Sequence, residues 1–416
     1  MKHVWILNHY ATVPSGVGGT RHYHLAKGLE AAGWRASIIA SSVEINSGKQ
    51  RLSTSERSRT DMIDGIPFLW VRTPDYEGNG GGRIMNMLAY SIGVLKPSVT
   101  HALGKPSVIV GSSVHPFAAL SGLILSRRFG VPFVFEVRDL WPQTLIDLGR
   151  IRKNGAMAIA MRWLERLLYR SATRIVVLLP RAGDYICPLG IEPGRIVWIP
   201  NGVDPGLFPP TPHRQRDSRS SFSFMYFGAH GQANALDPLI DAMAILRSRR
   251  PSHPIRLRMI GDGPLKAGLI ERAAALGLDD SLVSFEDPVP KQDIPQLASQ
   301  ADAFVLSVLD QPDLYRYGIS MNKLFDYMAS ARPIVMASAA VNDPVRESGC
   351  GTTVPPGDPL ALANAMERMA DMPSDALRAM GERGRAHVLE NFGFDRLSAR
   401  FGAILDDTLA PGESAR

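Results

Sequence analysis

The sequence predicts an α/β protein built from two domains, each a parallel sheet with helices on both faces. Three observations lead there. The chain has 416 residues, and at about 150 residues per domain that length calls for two or three cores. Short β-rich apolar runs alternate with helical patterns through the first half, as a parallel sheet requires. After a break, the same alternation restarts. With 45% apolar and 21% charged residues, each half has the material for a core of its own. That composition excludes a disordered chain, a collagen-like chain and a disulfide-stapled mini-protein.

The elements follow in order. Residues 3–7 read as the opening strand, a glycine loop follows, and 23–32 read as a helix closed by Gly33. Further strands are expected at 34–40, 108–110, 133–137 and 174–178. The polar or Gly-rich stretches 41–62 and 74–83 read as surface loops. The break falls at Pro200-Asn201-Gly202-Val203-Asp204, and residues 205–221 are rich in Pro, Arg and Ser. The first domain is therefore set at 1–200, the linker at 201–222 and the second domain at 223–394, with a final helix near 395–416 crossing back to the first. In the second domain, strands are expected at 223–227, 256–260, 283–285, 303–307 and 334–337. Helices are expected there at 237–247, 265–276, 294–299 and 322–330. Ligands of such domains bind at the carboxyl ends of the strands, and two domains facing each other make a cleft.

Several function classes drop out early. Two cysteines, Cys187 and Cys350, point to a reducing compartment. The first residues turn polar too soon for a signal peptide, and no run reaches the roughly 18 apolar residues of a spanning helix. A cytoplasmic protein is expected. The net charge of +6 suits an anionic partner without choosing among nucleic acid, substrate and membrane surface. Nucleic acid is disfavoured because no basic face carries interleaved aromatics. The histidines lack metal-ligand spacing, no Walker-type Gly-Lys-Ser/Thr occurs, and no Asp-x-Asp metal site is present.

Two motifs carry chemistry. Ser15-Gly16-Val17-Gly18-Gly19-Thr20-Arg21 lies between the first strand and the first helix. Glycines there let a phosphate approach backbone amides at a helix start. An ordinary strand-to-helix turn would look the same, and no acidic residue closes the second strand to hold a dinucleotide's ribose. The second motif is Tyr317-Gly318-Ile319-Ser320-Met321-Asn322-Lys323-Leu324-Phe325-Asp326-Tyr327-Met328-Ala329. Gly318 permits close backbone approach and Ser320 is placed as the N-cap. Lys323 and Asp326 share a helix face, one suited to a diphosphate and the other to vicinal hydroxyls. A surface ion pair between them is the plainer reading.

Together with Phe135-Glu136-Val137-Arg138-Asp139-Leu140-Trp141-Pro142, the Pro200–Asp204 segment and Gly261-Asp262-Gly263-Pro264, these motifs resemble the retaining glycosyltransferases of family 4. The resemblance spans roughly residues 3–395 and is closest to the bacterial subgroup of N-acetyl-L-fucosamine transferases of surface polysaccharides, O-antigen among them. It implies the GT-B fold of two Rossmann-like domains. It implies transfer of an N-acetylhexosamine or deoxy-hexosamine from a UDP-sugar to a lipid-linked saccharide, with no cofactor and no metal. The donor would be held by Gly18, Gly19, Lys266, Gly318, Ile319, Ser320, Lys323 and Asp326, and His115, Arg138 and Asp139 would stand at the reaction. The family often has two glutamates eight apart. Here Asp326 takes the second place and Gly318 the first, so backbone amides at 318–320 would substitute. His115 as a loop histidine with structural hydrogen bonds, and Arg138–Asp139 as a buried tying pair, remain alternatives. Glu136 is expected to alternate away from one of the two along the strand.

The basic stretch 150–181 carries Arg162, Arg166 and Arg170 with Trp163, Leu164, Leu167, Leu168 and Tyr169. It suits peripheral contact with an anionic membrane, or simply a solvated surface helix. Two other activities stay open: a UDP-sugar 2-epimerase of the same fold, and a non-catalytic nucleotide-sugar-binding subunit.

Overall fold

Continuous apolar runs such as Val4-Trp5-Ile6-Leu7 have no polar face to show to water, so they are buried on both sides. The computed structural model describes residues 1–16, 18–45, 48–76, 78, 80–209, 221–251 and 255–409. Residues 1–201 and 394–416 form one unit, and 202–393 the other. Both are parallel-sheet, Rossmann-like α/β units, as the sequence predicts.

The first unit holds β1 (Lys2–Leu7), β2 (Trp34–Ser41), β3 (Ser58–Ile63), β4 (Ile66–Val71), β5 (Val108–Ser112), β6 (Phe133–Val137), β7 (Arg174–Val177) and β8 (Ile196–Trp198). Among the described residues the sheet order is β3-β4-β2-β1-β5-β6-β7-β8, and every pairing is parallel except β3 with β4. The strand order reverses direction between β1 and β5. The carboxyl ends of those two strands are therefore the unit's natural ligand edge.

The second unit holds β9 (Phe222–Phe227), β10 (Ile255–Ile260), β11 (Val283–Glu286), β12 (Ala303–Ser307), β13 (Ile334–Ala337) and β14 (Gly351–Val354). Its order is β11-β10-β9-β12-β13-β14, all parallel, with the reversal between β9 and β12.

Three expectations need correction. Part of the stretch read as a loop at 41–62 is β3, an antiparallel edge strand. It turns into β4 at Asp64-Gly65, whose φ angles of 48° and 82° suit a two-residue hairpin of the mirror-image type. β3 has only half-buried and exposed residues and lacks the buried signature of its neighbours. Ser320 is not the N-cap of its helix: the helix is Asn322–Ala329 and Met321 caps it without a side-chain bond. The linker expected at 201–222 is largely outside the described residues, at 210–220. Its first residues are already tied into the second unit, where Val203 N–H donates to Phe392 O at 3.0 Å.

The last described helix, Phe394–Leu409, packs in the first unit. Phe394, Leu397, Phe401, Ile404 and Leu405 join Val4, Ile6 and Leu25 in one core. The approach depends on Gly28 of the helix Arg21–Leu29. A Cβ there would stand 2.4 Å from Ser398 Cβ, which no packing tolerates. Residues 410–416 of the expected helix lie outside the described residues.

Candidate functional site

Lys323 leaves the first turn of Asn322–Ala329 and reaches the loop after β9. Its Nζ donates to Tyr226 Oη at 2.7 Å and to Asn234 Oδ1 at 2.6 Å. Gly228, at φ 150°, makes this possible, because a Cβ there would lie 3.0 Å from the ammonium. Segments following β9 and β12 thus meet at the reversal in strand order. No carboxylate pairs with Lys323 among the described residues, and burial pushes the ammonium down to about 7. The expected surface pair with Asp326 does not form.

Asp326 is instead buried, and its Oδ2 accepts from Lys291 Nζ. Its Oδ1 has no hydrogen-bond partner. Burial raises the carboxyl against the pull of Lys291. A buried acceptor with one oxygen unused is costly unless something else supplies a donor. Two hydroxyls of a ribose are one such donor set.

Lys266 opens the helix Lys266–Ala275. Its Nζ donates to Glu286 O at 3.0 Å and lies 3.4 Å from Asp287 Oδ1. His230, which feels both lysines, is fully buried, with neither ring nitrogen hydrogen-bonded. Burial first, then Lys266, partly offset by Asp262, and last Lys323 bring its pKa down to about 4. The structure therefore gathers Lys266 and Lys323 about one neutral imidazole. The Gly318 and Ile319 amides are not free for a ligand, a correction to the sequence reading. Gly318 N–H donates to Tyr315 O at 3.0 Å and Ile319 N–H to Asn342 Oδ1 at 2.8 Å. The first is a local turn; the second comes from a side chain 23 positions away, which spacing does not reveal. Ser320 is half-buried just ahead of the helix.

In the first unit, Gly18 and Gly19 are exposed ahead of the helix Arg21–Leu29, and Val17 lies outside the described residues. His115 is buried and caps the helix Pro116–Phe129. Its Nδ1 accepts from Ala118 N–H at 3.3 Å, so the proton sits on Nε2, which donates to His9 Nδ1 at 2.7 Å. His9 Nε2–H then donates to Asn86 Oδ1 at 2.7 Å. Burial and Arg83 hold His115 neutral, at about 3. Both nitrogens are engaged in hydrogen bonds within the protein. Arg138 and Asp139 form no ion pair among the described residues. Arg138 is half-buried, Asp139 is exposed, and Arg138 N–H donates to Ser113 Oγ at 3.0 Å.

The buried charge lies at Glu136. Arg21 Nε donates to its Oε1 at 2.9 Å, and the same guanidinium reaches Pro200 O and Ile199 O. His22 Nε2–H donates to Oε2 at 2.6 Å while its Nδ1 accepts from Asn8 Nδ2 at 2.7 Å. Burial alone would raise this carboxyl, but His22 and Arg21 hold it well below the usual range. Removing one partner of such a pair costs about 3–5 kcal/mol.

With this geometry in view, relatives are informative. A family model described as "Glycosyl transferase 4-like domain" matches residues 17–202, and one described as "Glycosyl transferases group 1" matches 221–372. The chain belongs to the GT4-type glycosyltransferases. It is 24% identical over 299 residues to the probable glycosyltransferase WbjE of Pseudomonas aeruginosa, covering 68% of this chain and 70% of that one. Sucrose-phosphate synthase from Thermosynechococcus elongatus superposes with a TM-score of 0.74 at 18% identity, covering 99% and 100% of the two chains. Anabaena HepE, solved with UDP-glucose, gives 0.67 at 16% identity, covering 98% and 100%. These structures share the GT-B fold.

This glycosyltransferase also carries an apolar outer face on its first unit. The helix Pro116–Phe129 packs against both Gly81–Gly93 and Ala156–Ser171. Ile84, Met85, Ile92, Ile124, Met157, Ile159 and Trp163 are all exposed on these three helices, Trp163 at 67%. Leu164, Leu168 and Tyr169, read from sequence as part of a docking face, point into the core instead. Exposed Arg127, Arg128, Arg152, Lys153, Arg166 and Arg170 accompany the face. No helix among the described residues is long and apolar enough to cross a membrane. Nor do three His, Cys, Asp or Glu side chains gather there as a metal site. A surface hollow of about 550 Å³ over Ser223, Arg256, Arg258 and Ser284 holds none of the predicted residues.

Sequence reasoning missed Tyr226, Asn234, His230 and Lys291 in the second unit, and Arg21, His22 and His9 in the first. Only the run of Arg, His, Tyr and His opening a helix was a signal, since basic residues oppose the dipole there unless an acid compensates.

Proposed function

We propose that the protein is a retaining glycosyltransferase that takes an N-acetylhexosamine or deoxy-hexosamine from a UDP-sugar and passes it to a lipid-linked saccharide of a surface polysaccharide such as O-antigen. One observation carries this reading. A cation without an anion, Lys323, stands three residues from a buried carboxylate with an unused oxygen, Asp326, at the reversal in strand order. Diphosphate and ribose complete both. As the sugar leaves, negative charge grows on the diphosphate, and Lys323 with Lys266 beside it stabilises that charge. Attack from the face the diphosphate leaves, with a donor phosphate oxygen taking the acceptor's proton, retains the anomeric configuration. The proposed chemistry uses no cofactor or metal. The exposed apolar and basic face of the first unit supports peripheral contact with an anionic membrane on the cytoplasmic side, where a lipid-linked acceptor lies.

The test is calorimetric titration with UDP and uridine. Lys323→Ala should weaken UDP at least tenfold and uridine little, whereas Asp326→Ala should weaken both. Unchanged UDP affinity in both variants would remove the reading.

A further inference from the structure

Lys291 stands in the second unit beyond β11, where it opens a single turn, Lys291–Asp293, that leads into the helix Ile294–Ala298. A lysine in such a turn ordinarily points to water, because its ammonium is strongly hydrated. Here the side chain is only 17% exposed. The ammonium donates to Asp326 Oδ2 and lies over the Phe208 ring, 5.9 Å from its centre. Phe208 is itself buried. An aromatic face attracts a cation, and most strongly where water is excluded.

Both ends of this contact are fixed by other bonds. Asp293 N–H donates to Pro290 O at 3.0 Å, and Ile294 and Ala298 of the following helix are buried. On the other side, Phe227 N–H donates to Tyr327 Oη at 2.9 Å, and that hydroxyl donates to Phe227 O at 3.0 Å. These two bonds tie the helix Asn322–Ala329 to β9. Other charged or titratable groups around the helix are engaged elsewhere. Lys323 reaches Tyr226 and Asn234, Arg385 of the helix Ser374–Phe392 donates to Ala329 O at 2.6 Å, and His387 lies against Phe392. Among the described residues, Lys291 is the cation that answers the Asp326 carboxylate.

The protonation state of Asp326 decides what it holds. An ionised carboxylate accepts at both oxygens, so it takes hydrogen bonds from two vicinal hydroxyls while Oδ2 keeps Lys291. A protonated one carries its own O–H on one oxygen and binds a diol more weakly. Burial favours the protonated form. Lys291 opposes it from the side of Oδ2, and Oδ1 is left as an acceptor without a hydrogen-bond partner.

We propose that Lys291 is a positioning residue of the donor site: it holds the Asp326 carboxylate ionised and in place to accept the ribose diol. The assignment rests on the reading of Asp326 as the ribose carboxylate of a UDP-sugar site.

The experiment uses the full chain and compares UDP with its 2′,3′-dideoxy analogue by calorimetric titration at several pH values from mildly acidic to mildly alkaline. The ratio of the two affinities reads the diol alone, because base and diphosphate are common to both. Lys291→Met removes the charge and the bond, Lys291→Gln keeps a donor without the charge, and Lys291→Arg keeps the charge. Circular dichroism reports the folding of each, and Lys291→Gln carries the test if Lys291→Met does not fold. Wild type should bind UDP about tenfold tighter than the analogue. Near neutral pH that ratio should fall about fivefold in Lys291→Met and Lys291→Gln. It should recover as pH rises, because a carboxyl pushed further up needs a higher pH to ionise. Lys291→Arg should keep most of the wild-type ratio. A ratio in Lys291→Met and Lys291→Gln equal to that of wild type at every pH overturns the proposal. So does an equal weakening of UDP and the analogue, which a merely structural role would produce. Wild type that binds neither nucleotide removes the donor reading and the proposal with it, a result distinct from an unchanged ratio in variants that bind both.

Discussion

Burial holds the Lys323 ammonium at about 7, so near neutral pH a share of the molecules carries it uncharged. A bound diphosphate favours the charged form. UDP binding should therefore take up protons from about pH 7 upward, and affinity should fall as pH rises through that range. For folding the sign is different: the folded value lies below the unfolded one of about 10.4, so this group's contribution to stability grows as pH rises from 7 toward it. Calorimetry in buffers of different ionisation enthalpy reads the uptake. Lys323→Arg stays charged and should abolish it; an undiminished uptake in that variant would assign the proton elsewhere. At this scale the sequence shows one side of the site. Lys323 and Asp326 are legible because a helix fixes what three residues' spacing means. Their partners Tyr226, Asn234 and Lys291 lie 97, 89 and 35 positions away, and only the sheet order brings them in.

Among elements, the helix Ala156–Ser171 has an inner face as well as an outer one. Glu165 faces inward, bonded to Tyr185 Oη at 3.0 Å, and burial pushes its carboxyl up to about 8. A folded value above the unfolded one means the contribution is full below about pH 4.3 and lost as pH rises toward 8. Glu165→Gln should therefore raise the melting temperature at pH 8 and do little at pH 4. An equal effect at both pH values would mean that ionisation is not the cause.

The outer face is tested with vesicles. Wild type should sediment with anionic vesicles at low salt and release at high salt, since each basic residue near the surface adds about 1 kcal/mol. Replacing Met157, Ile159 and Trp163 together by Ser should abolish sedimentation, as should Arg162, Arg166 and Arg170 to Gln. Wild type that stays in the supernatant at low salt ends the membrane reading. Elements were legible where burial is two-sided: β6 and β12 read as apolar runs and sit where expected. β14, Gly351-Thr352-Thr353-Val354, carries a single large apolar residue and gave no such signal. β3 is an edge strand whose only cue was Asp64-Gly65.

At the scale of the molecule, the described residues form separate cores in the second unit and in the first. Thermal unfolding should then show two transitions, of which UDP raises only that of the second unit, by about 2.7 kcal/mol at a hundred times its Kd. Deleting residues 394–409 should abolish the other transition. Five buried side chains at about 1.5–3 kcal/mol each exceed much of the 5–15 kcal/mol that holds an ordinary domain folded. A truncated protein that keeps both transitions would show the helix to be an ornament. The alternation of elements announced both units from the sequence, whereas the closeness of the last helix hangs on Gly28, which looks like any other glycine until Ser398 is seen against it.

That last helix sets an order of events on the ribosome. The first 201 residues emerge early, yet their core lacks Phe394, Leu397, Phe401, Ile404 and Leu405 until the whole of 202–393 has been translated. The middle of the chain, 202–393, has all its parts sooner. At about 5–20 residues per second, the nascent first unit must wait roughly ten to forty seconds with the apolar surface of β1 and the helix Arg21–Leu29 uncovered. The unit begun first is the one finished last, and through that interval it is the natural client of a holding chaperone.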